Sequence, residues 1–182
     1  MEKIYNKIKS LDELGKIIAD IKKQGKKVVQ CHGVFDLIHP GHVRHLAAAK
    51  NEGDVLVVTI TEDAFVRKGP DRPVFTSQLR AETLAAMENV DYVAVNNAPT
   101  AVNCIEILKP DVYVKGRDYE NKEEDLTGKI TDEEDAVKKA GGKIVFTHDI
   151  TFSSSKLINE HMDTFPKETR DYLKNIASKN ST

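Results

Sequence analysis

Two histidines, His39 and His42, stand three residues apart where a turn enters a helix, and Gly41 lies between them. Side chains at this spacing can face the same way on a helix. The free N–H groups and the dipole at a helix start attract phosphate, and a glycine removes a side chain where a phosphate would approach the backbone. The pattern therefore predicts a site for a phosphorylated ligand.

The same two histidines also have simpler interpretations. A lone pair at a helix start can consist of ordinary surface or capping residues. With His32 and His45 there are four histidines in one short stretch, which raises the alternative of a zinc site. Zinc usually takes a closed set of nitrogen and sulfur ligands, whereas His32 lies before the turn and His45 lies one helical turn later. We therefore expect no metal ion held by the protein itself.

Strands and helices alternate along the chain and must position these residues. Apolar, β-branched runs predict strands covered on both faces, and periodic apolar positions between capping residues and glycines predict helices. The predicted strands span 27–31, 54–60, 92–95, 112–115 and 143–147. The predicted helices span 11–24, 40–51, about 77–88 and about 101–108, with another between the capping-box pair Thr131 and Glu134 and the glycines 141–142, and a last one starting within 153–155.

This alternation predicts an α/β fold, a Rossmann-like doubly wound parallel sheet of about five strands with helices on both faces. Ligands of such sheets bind beyond the carboxyl ends of the strands, where the strand order reverses. The turn from the first strand to the helix at position 40 lies at that edge. We expect the histidine pair to face the ligand there.

Composition excludes several classes of protein. The longest apolar runs fall well short of the eighteen or so residues of a membrane span, and the N-terminus has no apolar signal region, so we expect a cytoplasmic protein without membrane contact. A net charge of −2 argues against nucleic-acid binding. Cys31 and Cys104 lack metal-type spacing and are expected to be free thiols.

The stretch Gly33-Val-Phe-Asp-Leu-Ile-His-Pro-Gly-His resembles the signature of the cytidylyltransferase-like nucleotidyltransferase superfamily. Further segments follow in the family's order: Lys68-Gly-Pro-Asp-Arg-Pro-Val, Leu79-Arg80, Val90-Asp-Tyr-Val, Lys115-Gly-Arg-Asp-Tyr119 and Phe152-Ser-Ser-Ser-Lys-Leu-Ile. Among its branches, the chain is most similar to the heptose 1-phosphate adenylyltransferase domain. The resemblance divides the chain into an N-terminal helix packed on the domain (1–25), a nucleotidyltransferase domain (26–162) and a C-terminal helix with a polar tail (163–182).

The resemblance implies a role for each matching position. His39, His42 and Lys68 would be catalytic, contacting the triphosphate and stabilising the transition state at the α-phosphorus. The remaining matches would bind substrate: Gly33, Phe35, Asp36, Gly41, Arg80, Lys115, Gly116, Arg117, Asp118, Tyr119, Phe152, Ser153, Ser154 and Ser155. Simpler interpretations stay open for some of them. Ser153–Ser155 could form only a helix cap, Lys68 and Arg80 could be surface charges, Asp36 could hold the turn, and Phe35 could belong to the core.

Elementary chemistry agrees with the implied reaction. A phosphate acceptor already carries an anionic oxygen at neutral pH, so the reaction needs alignment and charge neutralisation more than a general base. A divalent ion, Mg²⁺, would arrive with the triphosphate and bridge its phosphates. The expected substrates are a nucleoside triphosphate, with ATP favoured, and a sugar phosphate such as heptose 1-phosphate, and the product besides the nucleotide sugar is pyrophosphate.

Two alternatives remain for the function. One is a CTP-dependent cytidylyltransferase acting on glycerol 3-phosphate or another polyol or headgroup phosphate, and the other is a nucleotide-binding regulatory module without turnover. Cys31-His32 stands where the heptose branch typically carries Thr/Ser-Asn, so we expect the neighbourhood of the acceptor or of the α-phosphate to differ, which leaves the identity of the substrate open. The resemblance also implies a homodimer and a sugar kinase, either as a separate partner or fused to this unit.

Overall fold

The computed structural model describes residues 2–69, 71–117, 129–148 and 168–169. The chain divides into two compact units, Met1–Thr151 and Phe152–Thr182, and the account below concerns the first. The predicted helix start within 153–155 and the predicted C-terminal helix and tail lie outside the described residues or are covered only by the short piece at 168–169. The proposed division at 25 and 162 stays a prediction.

Six α-helices and five strands alternate through the described residues. The helices are α1 (Glu2–Tyr5), α2 (Leu11–Lys23), α3 (Pro40–Lys50), α4 (Ser77–Ala85), α5 (Val102–Leu108) and α6 (Lys129–Lys139). The strands are β1 (Val28–Gly33), β2 (Val55–Thr61), β3 (Tyr92–Asn96), β4 (Val112–Gly116) and β5 (Lys143–Thr147), and a short 3₁₀ turn, Asp63–Phe65, follows β2.

All neighbouring strands pair in parallel, in the order β3-β2-β1-β4-β5. The order reverses between β1 and β4, so the crevice at their carboxyl ends is the expected ligand site. This confirms the predicted Rossmann-like parallel sheet and its five strands.

Each face of the sheet is covered by its own helices, as predicted. On one face α3 and α4 pack through Leu46, Leu84 and their neighbours onto Val29 and Val58 of the sheet. On the other face α2 contributes Leu14 and Ile18 to a cluster with Val28 and Val57, and α5 and α6 pack around Tyr113. Consecutive residues of one strand, such as Val28 and Val29, thus serve opposite cores, which is why the strands are apolar throughout.

An aspartate directly before each of three strands fastens the amino edge of the sheet. Asp54 before β2, Asp91 before β3 and Asp111 before β4 each donate a backbone N–H to the carbonyl of a neighbouring residue and accept that residue's N–H on the carboxylate. Their partners are Lys27, Leu56 and Val28, and the carboxylate distances are 2.7, 2.7 and 2.8 Å respectively. These reciprocal pairs set the strand register before the ladder begins.

The structure corrects one predicted helix start and adds an element. Helix α6 begins at Lys129, so Thr131 lies inside the helix and does not cap it; Ile130 in the same turn is buried and belongs to the packed helix. The N-terminal α1 was not predicted, and an isolated parallel bridge joins Ile8 to Val93 beside β3. Among the described residues, no helix has the length and apolarity needed to cross a membrane.

Candidate active site

The turn after β1 places the histidine pair at the carboxyl edge of the sheet. Strand β1 ends at Gly33 and α3 starts at Pro40, where proline suits the first helical position because its ring fixes a helical φ. His39 caps the helix in an extended conformation, and its Nδ1 accepts the N–H of His42 at 3.4 Å. A histidine whose Nδ1 accepts carries its proton on Nε2 when neutral, so His39 presents an N–H from that nitrogen.

The two imidazoles form a stacked pair. Their ring centroids are 3.8 Å apart with planes inclined by 19°, and Phe35 meets His42 edge-on at 5.2 Å. Phe35 is itself 7% exposed and belongs to the core, with a left-handed φ of 50°. Gly33 makes room for it, because a Cβ there would lie 3.1 Å from the Phe35 ring. Phe35 thus packs against His42, and Gly33 leaves room for the Phe35 ring.

The surroundings keep both imidazoles neutral. Burial lowers the pKa of His42 to about 3; the charge of Lys68 and the repulsion that protonated His39 and His45 would exert lower it further, and a hydrogen bond with the Leu37 backbone opposes the shift. Burial also lowers the pKa of His39. At neutral pH each ring therefore has one N–H and one lone pair. The Nδ1 of His42 is buried without a hydrogen-bond partner among the described residues.

Lys68 lies on the segment between β2 and α4, after the carboxyl end of β2. The residue is exposed, and its own pKa is lowered by local desolvation first and then by the charges of Arg72 and Arg80, against the opposing effect of Asp36. Its positive charge also lowers the pKa of His42. The structure therefore places the three residues predicted to be catalytic at the carboxyl edge of the sheet, and their catalytic roles stay predictions.

Asp36 ties this segment to the turn after β1. Its carboxylate is buried and accepts hydrogen bonds from Nε of Arg72 at 2.6 Å and from the backbone N–H groups of Val74 and Phe75 at 2.6 and 3.4 Å. These contacts match the alternative that Asp36 holds the turn. A direct contact of Asp36 with substrate remains a prediction.

Arg80 is built into the same scaffold. Its side chain is fully buried and donates to the carbonyls of Phe75, Val34 and Thr61 and to the carboxylate of Asp63, at distances of 2.5–3.0 Å. A guanidinium has five N–H donors, and these four contacts leave one. Arg80 fastens the ends of β1 and β2 together, and its predicted phosphate contact would use the remaining donor and the charge.

The end of β4 supplies the other side of the crevice. Lys115 is buried and paired with Glu133 of α6 at 2.7 Å, and Glu133 also accepts the hydroxyl of Tyr113 at 3.0 Å. A Cβ on Gly116 would meet no described residue within 4 Å, and Arg117 is exposed. Lys115 thus acts within the fold, and the predicted substrate contacts of Lys115, Gly116 and Arg117 stay predictions.

Several predicted substrate contacts lie outside the described residues: Asp118, Tyr119, Phe152, Ser153, Ser154 and Ser155. Gly41, which is described, is buried in the first turn of α3 beside the histidines. These roles all remain predictions.

The other two histidines of the cluster point elsewhere. His45 binds the hydroxyl of Thr147 on β5 through Nδ1 at 2.7 Å, and its pKa falls to about 4 through burial and the nearby charge of Lys115. His32 bridges Thr59 and Thr61 at 2.9 and 3.2 Å. Across the described part of the chain, no three His, Cys, Asp or Glu side chains are grouped as metal ligands.

The thiols are buried on opposite faces of the sheet and both are free. Burial raises the pKa of Cys31 to about 12 and that of Cys104 to about 11. Neither thiol is ionised at neutral pH, so neither has the reactivity of a thiolate.

Arg72 is the residue of this site that the sequence did not single out. It belongs to the quoted segment Lys68-Gly-Pro-Asp-Arg-Pro-Val, and its side chain is 4% exposed against Asp36. The sequence did contain a signal for Arg72, because it is a basic residue inside a segment that the resemblance places at the phosphate site. Its partner, however, lies thirty-six positions earlier in the sequence.

Comparisons with known proteins identify the family of this chain. Residues 30–161 match the family model described as Cytidylyltransferase-like. The chain is 41% identical over 168 residues to the bifunctional protein HldE of Geobacter metallireducens, a match that covers 89% of this chain and 32% of the relative. It is 38% identical to the HldE of Gluconobacter oxydans, over 86% of this chain and 32% of the relative. The chain spans about a third of the length of these relatives.

Two solved structures have similar folds. The lipopolysaccharide core biosynthesis protein of Thermoplasma volcanium superposes with a TM-score of 0.58 at 26% identity, covering 70% of this chain and all of that one. A pantoate-beta-alanine ligase of Francisella tularensis, complexed with a β,γ form of ATP and beta-alanine, has a TM-score of 0.59 at 18% identity, covering 84% and 72%. The second similarity concerns the fold alone.

A Rossmann-like sheet with an H-x-G-H pair capping the helix at its switch point defines a class of nucleotide-transferring enzymes. The chain belongs to the cytidylyltransferase-like family. It is therefore a nucleotidyltransferase, a nucleotide-binding enzyme of the transferase class, as the resemblance of the sequence implied.

Proposed function

We propose that this chain transfers a nucleoside monophosphate, from ATP in preference to CTP, to a sugar phosphate such as heptose 1-phosphate and releases pyrophosphate. The observation that carries the proposal is the pair of neutral, stacked imidazoles at the start of α3, and the charge of Lys68 acts on this pair from the segment after β2. The motif resemblance and the bifunctional HldE relatives support the choice of heptose phosphate.

The reaction is an in-line displacement at the α-phosphorus. An anionic oxygen of the acceptor phosphate forms the new bond to phosphorus, and the bond from phosphorus to the bridging oxygen of the β-phosphate breaks. The electron pair of that bond leaves with pyrophosphate. No proton has to be removed from the acceptor, which fits a site in which we find neutral imidazoles and cations around the turn.

His39 and His42 are proposed to bind the non-bridging oxygens of the α-phosphate. A neutral imidazole donates one N–H without bringing a formal charge, and the backbone N–H of Gly41 in the first turn of α3 is proposed to donate to the same oxygens. Lys68 then supplies a positive charge where charge builds up in the transition state. Because these donors are held by stacking and capping before substrate arrives, little reorganisation is needed during the reaction.

The nucleotide is proposed to occupy the end of β4. Gly116 leaves open space there and Arg117 is exposed, and by the family resemblance Asp118 and Tyr119 would complete the pocket for base and ribose. Phe152 and the serines 153–155 would hold the β- and γ-phosphates. These six assignments, together with Gly33, Gly41 and Lys115, are part of the proposal.

Mg²⁺ is proposed to arrive bound to the triphosphate and not to occupy a site made by the protein alone. Asp36 and Asp63, the carboxylates near the histidines, are already paired with Arg72 and Arg80, so the described residues do not offer a ready set of oxygen ligands. The phosphate oxygens would supply most of them. When bound, the ion would neutralise part of the charge of the phosphates.

The kinase partner, the oligomeric state and the cellular location of the enzyme are also proposed. The chain covers 32% of relatives that are named as bifunctional, which supports a sugar kinase acting beside this unit or fused to it. The family resemblance further supports a homodimer, and we propose the cytoplasm as its location.

The decisive test is pyrophosphate release with Mg²⁺, measured with ATP and CTP separately against heptose, hexose, glycerol and choline phosphates. We expect release that requires ATP and a heptose phosphate. Release that requires CTP and glycerol phosphate would replace the proposal with the cytidylyltransferase alternative. Nucleotide binding without release across the whole panel would favour the regulatory module.

A further inference from the structure

Arg72 is buried in the active site with part of its guanidinium unused. Its side chain is 4% exposed, and Nε donates to the Asp36 carboxylate at 2.6 Å. Its Nη2 is buried and has no hydrogen-bond partner among the described residues. A buried N–H donor without an acceptor is unfavourable, so this atom is suited to an anionic oxygen that arrives with a ligand.

The neighbours of Arg72 favour an anion. The charges of Arg72, Arg80 and Asp36 all act on the pKa of Lys68, and Lys68 in turn acts on His42. The two nearby carboxylates are each paired with an arginine, Asp36 with Arg72 and Asp63 with Arg80. The ammonium group of Lys68 is therefore the excess positive charge of this cluster.

The position of Arg72 in the fold indicates which phosphate it would bind. The segment that carries Lys68 and Arg72 follows β2, whereas the proposed nucleotide pocket lies at the end of β4. Strand β1, with the histidine turn, lies between β2 and β4. In an in-line displacement the attacking and leaving oxygens lie on opposite sides of the α-phosphorus. If pyrophosphate leaves on the β4 side, the acceptor attacks from the side of Arg72.

We propose that Arg72 binds the phosphate of the acceptor through Nη2, next to Lys68, while its Nε stays on Asp36. The inference rests on the proposed function and adds a residue to it. Arg72 would thus be a binding residue that also positions the attacking oxygen, because the Asp36 carboxylate fixes the plane of the guanidinium.

The test compares R72Q and R72K with R67Q in steady-state pyrophosphate release. Arg67 is exposed on the same segment, so R67Q makes the same chemical change without touching the buried pair. We expect R72Q to raise KM for the acceptor phosphate by about tenfold or more, the loss expected for a charge-assisted contact, with KM for the nucleotide changed by less than about twofold. R72K keeps the charge and should fall between R72Q and the wild type. R67Q should leave both KM values unchanged.

Inorganic phosphate serves as a probe of the same contact. As an inhibitor competing with the acceptor, it should lose affinity in R72Q and keep it in R67Q. Equal increases in both KM values, or a fall in kcat with unchanged acceptor KM, would overturn the inference, because those results belong to a residue that only holds the segment. An increase confined to the nucleotide KM would assign Arg72 to the triphosphate and overturn it too.

The two proposals fail in different ways. If the wild type releases no pyrophosphate with any member of the panel, the proposed function fails. If the wild type is active and R72Q keeps the wild-type acceptor KM, only the role of Arg72 fails. Should R72Q not fold, which a thermal melt would show, R72K provides the comparison, since its ammonium group can still face Asp36.

Discussion

Replacing His42 with alanine removes one ring of the stacked pair and, with it, one neutral donor at the α-phosphate. The pKa of His42 is lowered to about 3, so at neutral pH the wild-type ring is neutral, and in the proposed role it would stabilise the transition state as an N–H donor and not as a cation. Loss of one preorganised donor to a developing charge costs about 2.7–4 kcal/mol. This corresponds to a fall in kcat of roughly a hundredfold to a thousandfold.

Nucleotide affinity should suffer much less from the same substitution. The ground-state triphosphate would keep the proposed contacts with the Gly41 N–H, the other histidine and Lys68. We therefore expect the Kd for ATP, measured by calorimetry in the absence of acceptor, to rise by no more than about fivefold, since uniform binding and transition-state binding respond separately. The assay for kcat is pyrophosphate release at saturating substrates.

His45 provides the matched control because it lies one turn later on the same helix. H45A removes a ring that binds the Thr147 hydroxyl at 2.7 Å, away from the proposed α-phosphate. Its kcat should stay within about threefold of the wild type, although its melting temperature should fall. A kcat of H42A within about tenfold of the wild type would refute the catalytic role of the pair, as would equal losses of kcat in H42A and H45A.

Three further predictions concern stability. His42 and His45 have folded pKa values of about 3 and about 4, below the unfolded value of about 6.5, so the unfolded chain takes up more protons in acid and stability is lost as the pH falls through about 6.5. In urea unfolding, the free energy of unfolding should be lower at pH 5 than at pH 8 by up to about 2 kcal/mol for each histidine, and H45A should remove its share of that difference. If H45A leaves the pH dependence of the free energy of unfolding unchanged, the lowered pKa of His45 is contradicted. R80A leaves Asp63 and three carbonyls without their buried donor and should cost about 3–5 kcal/mol, with a cost below about 1 kcal/mol showing that the network is dispensable. G142A would place a Cβ 2.3 Å from the carbonyl oxygen of Pro110 and should lower the free energy of unfolding by about 1–3 kcal/mol, whereas G116A, with open space, should melt like the wild type.

The fold was largely predictable because its signals are local. The run of apolar residues in β2 is buried at every position, as expected for a strand covered on both faces. Ser10 caps α2 through its hydroxyl, and Gly25 after the helix has a φ of 75°. The prediction failed at Thr131, where the capping-box spacing occurs inside a helix that had already begun. A capping motif does not by itself exclude an earlier start, because tertiary packing of a residue such as Ile130 can extend a helix.

The candidate site was predictable only in part, for the opposite reason. His39 and His42 share one turn, so their spacing carried the information. Arg80, in contrast, donates to the carbonyl of Val34, which lies forty-six positions earlier. No local sequence pattern predicts such a contact. For the same reason the sequence left the environment of Asp36 open until the fold placed Arg72 against it.

Because aspartates precede β2, β3 and β4, the contacts that align the strands lie at one edge of the sheet and the candidate site lies at the other. Their reciprocal hydrogen bonds lie at the amino edge of the sheet, and the histidine turn, Lys68 and Gly116 all lie at the opposite edge. Loops at the carboxyl edge can thus be exchanged, lengthened or changed in charge without disturbing the hydrogen bonds that align the strands. A scaffold divided in this way is open to evolutionary change of acceptor, and it marks the carboxyl-edge loops as the segments to redesign when a different sugar phosphate is wanted.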